Sequence, residues 1–199
     1  MRRIKIYVFD IETLNIAEDS VILSMGCVYL EDYAPKPWED LLKNSIFIKL
    51  DAVHQIKLLN RTASKSTLEW WSKQSTFAKN KSLNRSSEDL DPITAIQRLR
   101  KFVFDNTRQQ EVKCFTRGFM DVMTTEHLAK QVDQAMPWRY NNYRDVRTAI
   151  DILYPNSKNG YVEVDTKLCA GYNQGGIIRH DPVIDCAEDA AMILYGKTE

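Results

Sequence analysis

The sequence has few cysteines, no net charge and no long apolar run. Each of these limits what the chain can be. Its four cysteines, Cys27, Cys114, Cys169 and Cys186, are scattered through 199 residues and never fall as Cys-x-x-Cys. A zinc knuckle is therefore not expected, and the thiols read as reduced ones in a cytoplasm. Lys plus Arg number 27 and Asp plus Glu number 27, so the formal net charge is zero. A non-specific coater of nucleic acid draws its affinity from a basic excess, and this balance argues against a pure binding module. It leaves room for an enzyme that engages only a strand end and meets the phosphate through metal ions. No apolar run approaches the length needed to cross a bilayer, so no membrane association is expected. The first residues, Met-Arg-Arg-Ile-Lys, lead straight into a strand-like segment without the apolar stretch or cleavage site of a signal peptide. Internal repeats and low-complexity tracts are missing too.

What is present is an ordinary globular composition, 44% hydrophobic and 27% charged, in a length that suits one domain spanning 1–199. Residues 4–9 (Ile-Lys-Ile-Tyr-Val-Phe), 21–30 and 45–50 read as strands. The stretches between them lack a helix pattern, so an antiparallel meander is expected. Ser66-Thr67-Leu68-Glu69 reads as a capping box opening a helix that carries Trp70 and Trp71. Residues 80–91 are polar and read as a mobile loop. Asp91-Pro92 starts a helix with Pro at its first position, and Ile93, Ile96, Leu99, Phe102 and Val103 keep helical spacing. A fourth strand is expected at 112–116, with further helices at about 122–134, 144–153 and 185–195. Three strands followed by helices alternating with short strands predict an α/β chain with a mixed sheet covered by helices.

Asp10-Ile11-Glu12-Thr13 closes the first strand. Residues two apart in an extended chain point the same way, so Asp10 and Glu12 project together from a strand end. Two such carboxylates repel each other, and a divalent cation relieves the repulsion. A solvated strand end is the ordinary reading of an isolated Asp-x-Glu. Near the other end stands His180-Asp181-Pro182-Val183-Ile184-Asp185-Cys186-Ala187. There Asp185 is expected to open a helix, either as a metal ligand or as a first-turn acid favoured by the helix dipole. Asp121, after Arg117-Gly118, has the same two readings.

Taken together and in this order, these segments resemble the DEDDh 3′→5′ exonucleases of the ribonuclease-H-like superfamily. One branch is especially similar, that of exonuclease A from T-even bacteriophages. Ser66-Thr67-Leu68-Glu69-Trp70-Trp71, Arg117-Gly118, Arg144-Asp145-Val146-Arg147-Thr148 and His180-Asp181 through Asp185-Cys186-Ala187 carry the likeness. The pattern departs at Arg117-Gly118-Phe119-Met120-Asp121, where the relatives carry one residue more before the central Asp. Glu126 is the poorer substitute for Asp121.

The resemblance implies a ribonuclease-H-like domain with a mixed five-stranded sheet flanked by helices. It also implies two divalent ions, Mg²⁺ or Mn²⁺, about 3.5–4 Å apart around the scissile phosphate. Asp10, Glu12, Asp121 and Asp185 would be the metal ligands, and His180 the general base. The substrate would be a single strand with a free 3′ end, DNA favoured over RNA, and the products nucleoside 5′-monophosphates. The setting would be a cytoplasm, that of a bacterial host if the chain is phage-encoded. Thr13, Leu14, Trp70, Trp71, Arg144 and Arg147 are the expected substrate contacts. One of the adjacent tryptophans must be core, since neighbouring helical positions point about 100° apart. Arg144 and Arg147 are expected on one helix face, bound to phosphate or to nearby acids. Lys57, Arg61 and Lys65 read as a solvated basic surface. The competing readings are an exoribonuclease on the same fold and a non-catalytic nucleic-acid-binding protein. The latter should have lost a metal ligand, whereas all five positions are filled.

Overall fold

The structure is a computed structural model and describes residues 4–107, 111–173 and 176–198. The β-forming runs become strands β1 (Ile4–Thr13), β2 (Ile22–Leu30), β3 (Ser45–Lys49) and β4 (Glu111–Thr116), joined by a short β5 (Tyr143–Asp145). They form one mixed sheet in the order β3-β2-β1-β4-β5. The first three strands are the expected antiparallel meander, and β4 and β5 run parallel to β1. The helices are α1 (Trp38–Lys43), α2 (Ala52–Leu59), α3 (Lys65–Ser72), α4 (Thr76–Ala78), α5 (Pro92–Thr107), α6 (Met120–Gln131), α7 (Val146–Leu153) and α8 (Pro182–Tyr195). None of them is long and apolar enough to cross a membrane.

The strand pleat divides the core into two layers. Ile6 and Val8 of β1 pack with Cys186, Ala187, Ala190 and Ala191 of α8. Tyr7, Phe9 and Ile11 face the other way, onto Ile96, Leu99 and Val103 of α5 and Leu128 of α6. The small residues of α8 let it lie close to the sheet. It presses on Gly26 of β2, the partner of Asp10 across the ladder, where a β-carbon would sit 2.6 Å from Val183 N and nearer still to the Pro182 carbonyl. Glycine at this position is what brings the start of α8 down onto the end of β1.

Several local expectations are corrected. The link between β2 and β3 does contain a helix. The six residues of α1 are too few to show a period, and Leu41 anchors them under α8. The Ser66 capping box does not form. Ser64 caps α3 instead, its hydroxyl accepting from Thr67 N at 3.1 Å. Its backbone N–H is held by Leu14 O at 2.8 Å, which fixes the chain as extended at that point. Residues 80–91 are docked rather than free. Ser82 is buried against Ser24 at 2.7 Å, and Lys49 pairs with Asp89 at 3.6 Å with both side chains nearly excluded from solvent. The last helix begins at Pro182 with Asp181 as its cap, so Asp185 lies one turn inside it. Arg61 is not surface: it is 3% exposed. Its guanidinium donates to Ser20 O at 2.8 Å, Thr124 O at 3.2 Å and Gln131 Oε1 at 2.9 Å, pinning the β1–β2 connection to α6. Burial lowers its pKa to about 10.

Candidate active site

Asp10 and Glu12 share the pleat face of Ile6 and Val8, so they project beneath the N-terminal turns of α8. Asp181 accepts from Val183 N at 3.0 Å and so fixes the helix start. Asp185 then points back toward β1. His180, just outside the helix, takes the left-handed backbone conformation (φ 65°). Its backbone N–H donates to Asp185 Oδ2 at 3.1 Å, and its Nδ1 lies 3.5 Å from Glu12 Oε1. Glu12, His180 and Asp185 each offer a ligand atom within 4.8 Å of the others. Asp121 sits in the first turn of α6, is 8% exposed, and accepts from the Ile11 backbone N–H beside Asp10. Glu126 pairs with Lys130 at 3.9 Å on the outer side of α6. Gly118, ahead of Asp121, turns the chain with a φ of 93°, a conformation that suits glycine.

Electrostatics follow from this crowding. Burial pushes Asp10 well above the usual carboxylate range, and the charges of Asp121, Glu12 and Asp185 push it further. Asp121 is raised by burial and by Asp189 and Glu12, with Arg147 opposing. Asp185 rises to about 7, again through burial and Glu12. His180 is raised chiefly by its bond to Glu12. Carboxyl groups raised together by one another's charges mark too much negative charge in one place.

The remaining expected site residues divide. Trp71 is the core member of the pair, fully buried and donating Nε1 to Thr13 O at 2.9 Å. Trp70 is 41% exposed and packs edge-on against His180, with centroids 4.7 Å apart. With Glu12, Thr13, Asn15, Ile16 and Thr67 it lines a groove of about 400 Å³ beside the acids. Leu14 does not line this groove. It lies beyond the end of β1, past the register shift at Glu12/Thr13, and its side chain is buried with Val21, Leu23 and Trp71. Arg144 and Arg147 do not share a helix face: Arg144 is in β5, and its guanidinium donates back to Asn141 O and Tyr143 O. It borders a larger, mostly apolar groove of about 980 Å³, which Gly118 also lines and Asp10, Glu12, Asp121 and Asp185 do not. Arg147, exposed in α7, acts through space on Asp121 and Asp189.

Sequence reasoning missed Asp189 and the role of Arg117. Asp189 follows Asp185 by four on one helix, the spacing that puts both on one face. Arg117 donates Nε to Asp189 Oδ1 at 3.0 Å and Oδ2 at 3.2 Å. The Arg-Asp-x-Arg-Thr segment proves to be a cap and a brace: Asp145 accepts from Thr148 N at 2.7 Å and from Gly118 N at 2.9 Å.

The same architecture occurs in solved nucleases. The chain superposes on zinc-bound E. coli exonuclease I in complex with single-stranded DNA with a TM-score of 0.59 at 8% identity, over 98% of this chain and 40% of that one. It matches the cell-death related nuclease CRN-4 at 0.58 and 12% identity, over 96% of this chain and 62% of that one. It matches the nuclease domain of 3′hExo, a DEDDh family member bound to rAMP, at 0.57 and 10% identity, over 96% and 90%. The chain thus spans about two fifths of exonuclease I and three fifths of CRN-4. At these identities the likeness defines the fold: that of the ribonuclease-H-like DEDDh exonucleases. An exodeoxyribonuclease of Enterobacteria phage T4 is 25% identical over 211 residues, covering 95% of this chain and 87% of the relative. Residues 5–193 match the 3′-5′ exoribonuclease Rv2179c-like domain; the chain belongs to this family, and its enzyme class is 3′→5′ exonuclease.

Proposed function

We propose that residues 1–199 work as a single domain that hydrolyses phosphodiester bonds from the 3′ end of single-stranded DNA, releasing nucleoside 5′-monophosphates with the help of two divalent ions. The convergence of Asp10, Glu12, Asp121 and Asp185 beside His180 carries this reading. The residues fit such ions. Their donors are hard carboxylate oxygens suited to Mg²⁺ or Mn²⁺. The raised pKa values of Asp10, Asp121 and Asp185 mark a charge excess that cations would relieve. Bound there, the ions would neutralise the phosphate and stabilise the attacking and leaving oxygens.

The chain's own residues do the rest. Asp10, Glu12, Asp121 and Asp185 would hold the ions, with Glu12 and Asp185 close together beside His180. His180, tethered through its backbone to Asp185, removes the proton of the attacking water. Trp70 offers an exposed ring to the terminal base, a contact that tolerates any sequence. Thr13 shares its groove, and Arg147 supplies positive charge near Asp121. DNA is favoured by the phage T4 relative, which aligns over most of both chains. The exoribonuclease description of the family supports RNA as the second reading.

The test is digestion of 5′-labelled DNA and RNA single strands with Mg²⁺, Mn²⁺ or EDTA. A descending ladder on DNA that EDTA abolishes is the expected result. Cleavage of a circular single strand would show that the enzyme needs no end, and a ladder on RNA alone would transfer the reading to RNA.

A further inference from the structure

The site holds more acid than four metal ligands require. Asp189 is 7% exposed, and its charge raises both Asp10 and Asp121, so it lies within their field. It is nevertheless occupied. Arg117 grips both its oxygens through Nε, at 3.0 and 3.2 Å, and adds a second bond from Nη2. The guanidinium is itself held from two other sides. Its Nη1 donates to Gly160 O at 3.1 Å, and its carbon sits 4.1 Å from the ring centroid of Tyr161. A bidentate fork stacked on an aromatic ring has little freedom to let go. The two side chains are 15% and 11% exposed, so solvent screens the pair weakly.

We infer that Arg117 is a positioning residue that withholds Asp189 from the metals, keeping the number of free carboxylates around Asp10 at four. Arg117 stands four residues before Asp121 in sequence and one ion pair away from α8. It therefore couples the entry to α6 to the helix bearing Asp185. Without it, Asp189 is a fifth uncompensated carboxylate beside Asp10 and Asp121. With Arg117 but without Asp189, an unpaired cation faces the site. These two changes act on a divalent ion in opposite directions. This inference rests on the metal-dependent reading proposed above.

The experiment is a melting-temperature titration with Mn²⁺ of wild type, Arg117→Gln, Asp189→Asn and the double variant, each starting from EDTA. An ion that binds the folded form raises the melting temperature once its concentration passes that of half occupancy, and this Mn²⁺ midpoint reports apparent affinity without any turnover. Arg117→Gln should melt lower in EDTA and shift the midpoint about tenfold toward lower Mn²⁺. Asp189→Asn keeps the shape of the side chain and should shift it about tenfold toward higher Mn²⁺. The double variant should return to the wild-type midpoint. An ion pair that only supports the fold would lower all melting temperatures and leave the midpoints alone. Unchanged midpoints, or shifts of the same sign in both single variants, overturn the inference. A wild type that gains nothing from Mn²⁺ removes the metal site itself and this inference with it.

Discussion

At the scale of single residues, His180 shows how placement sets chemistry. Its backbone is held in a left-handed conformation by its bond to Asp185, and its ring is packed against Trp70 and paired with Glu12. Glu12 stabilises the charged imidazole, so the base form arises at higher pH than the ordinary value of about 6.5. Activity should therefore climb with pH through a midpoint above that value. His180→Ala should lower turnover by about 10²–10⁴-fold and lose that limb of the profile. A pH–rate series on both proteins checks this. An unchanged profile in the alanine variant would take His180 out of the proton transfer. A wild-type midpoint at or below 6.5 would show that Glu12 does not hold the ring in the working enzyme.

Among elements, the decisive one is α8. It brings Asp185 over β1 only because β2 has no side chain at Gly26, where Cys186 also donates its thiol to the Gly26 carbonyl at 3.4 Å. Gly26→Ala must push the helix start away from the sheet. Overpacking of this kind costs about 1–3 kcal/mol, and here the displacement acts directly on the distance between Asp185 and Glu12. Urea unfolding should show the loss of stability, and cleavage should fall by at least about 10²-fold, as misplacement of about 1 Å does elsewhere. Normal activity would mean that α8 is not the part that sets the site. The same elements show what a sequence can disclose. Strands β1 to β4 follow from their β-forming residues, and the paired projection of Asp10 and Glu12 from the period of an extended chain; neither needs a partner to be read. The cap at Ser64, the burial of Leu14 and Arg61, and the separation of Arg144 from Arg147 depend on neighbours distant in sequence. The Leu14–Ser64 backbone bond selects one serine over another, and Ser20, Thr124 and Gln131 together make an interior place for an arginine. Asp189 could have been suspected from its spacing to Asp185, but its partner Arg117, 72 residues away, could not.

For the molecule as a whole, the acid cluster makes metal-free stability depend on pH. Asp185 is raised from 3.8 to about 7, whereas in an unfolded chain it ionises near its ordinary value. Between those limits the folded form binds more protons, so stability present below about pH 4 is lost as pH rises through 7. Asp10 and Asp121, also raised by burial and by their neighbours' charges, act in the same sense, as does His180 with its raised pKa. Asp91 and Asp145 are lowered, and their contribution is lost only as pH falls through and below the ordinary carboxylate range. In EDTA the melting temperature should therefore decline from pH 5 to pH 8, a window these last two groups do not reach. Asp10→Asn removes one of the mutually repelling charges at nearly constant shape. That variant should be inactive, should melt at or above wild type at pH 8 in EDTA, and should decline less steeply with pH. Mn²⁺ should cancel the decline in wild type, because a bound cation replaces the protons as the counter-charge, and should do much less for the variant. The measurement is thermal unfolding of both proteins at several pH values with EDTA and with Mn²⁺. A wild-type melting temperature that rises with pH in EDTA, or an Asp10→Asn protein that melts far below wild type at pH 8, would mean that the carboxylates stabilise the fold and that the charge cluster is structural.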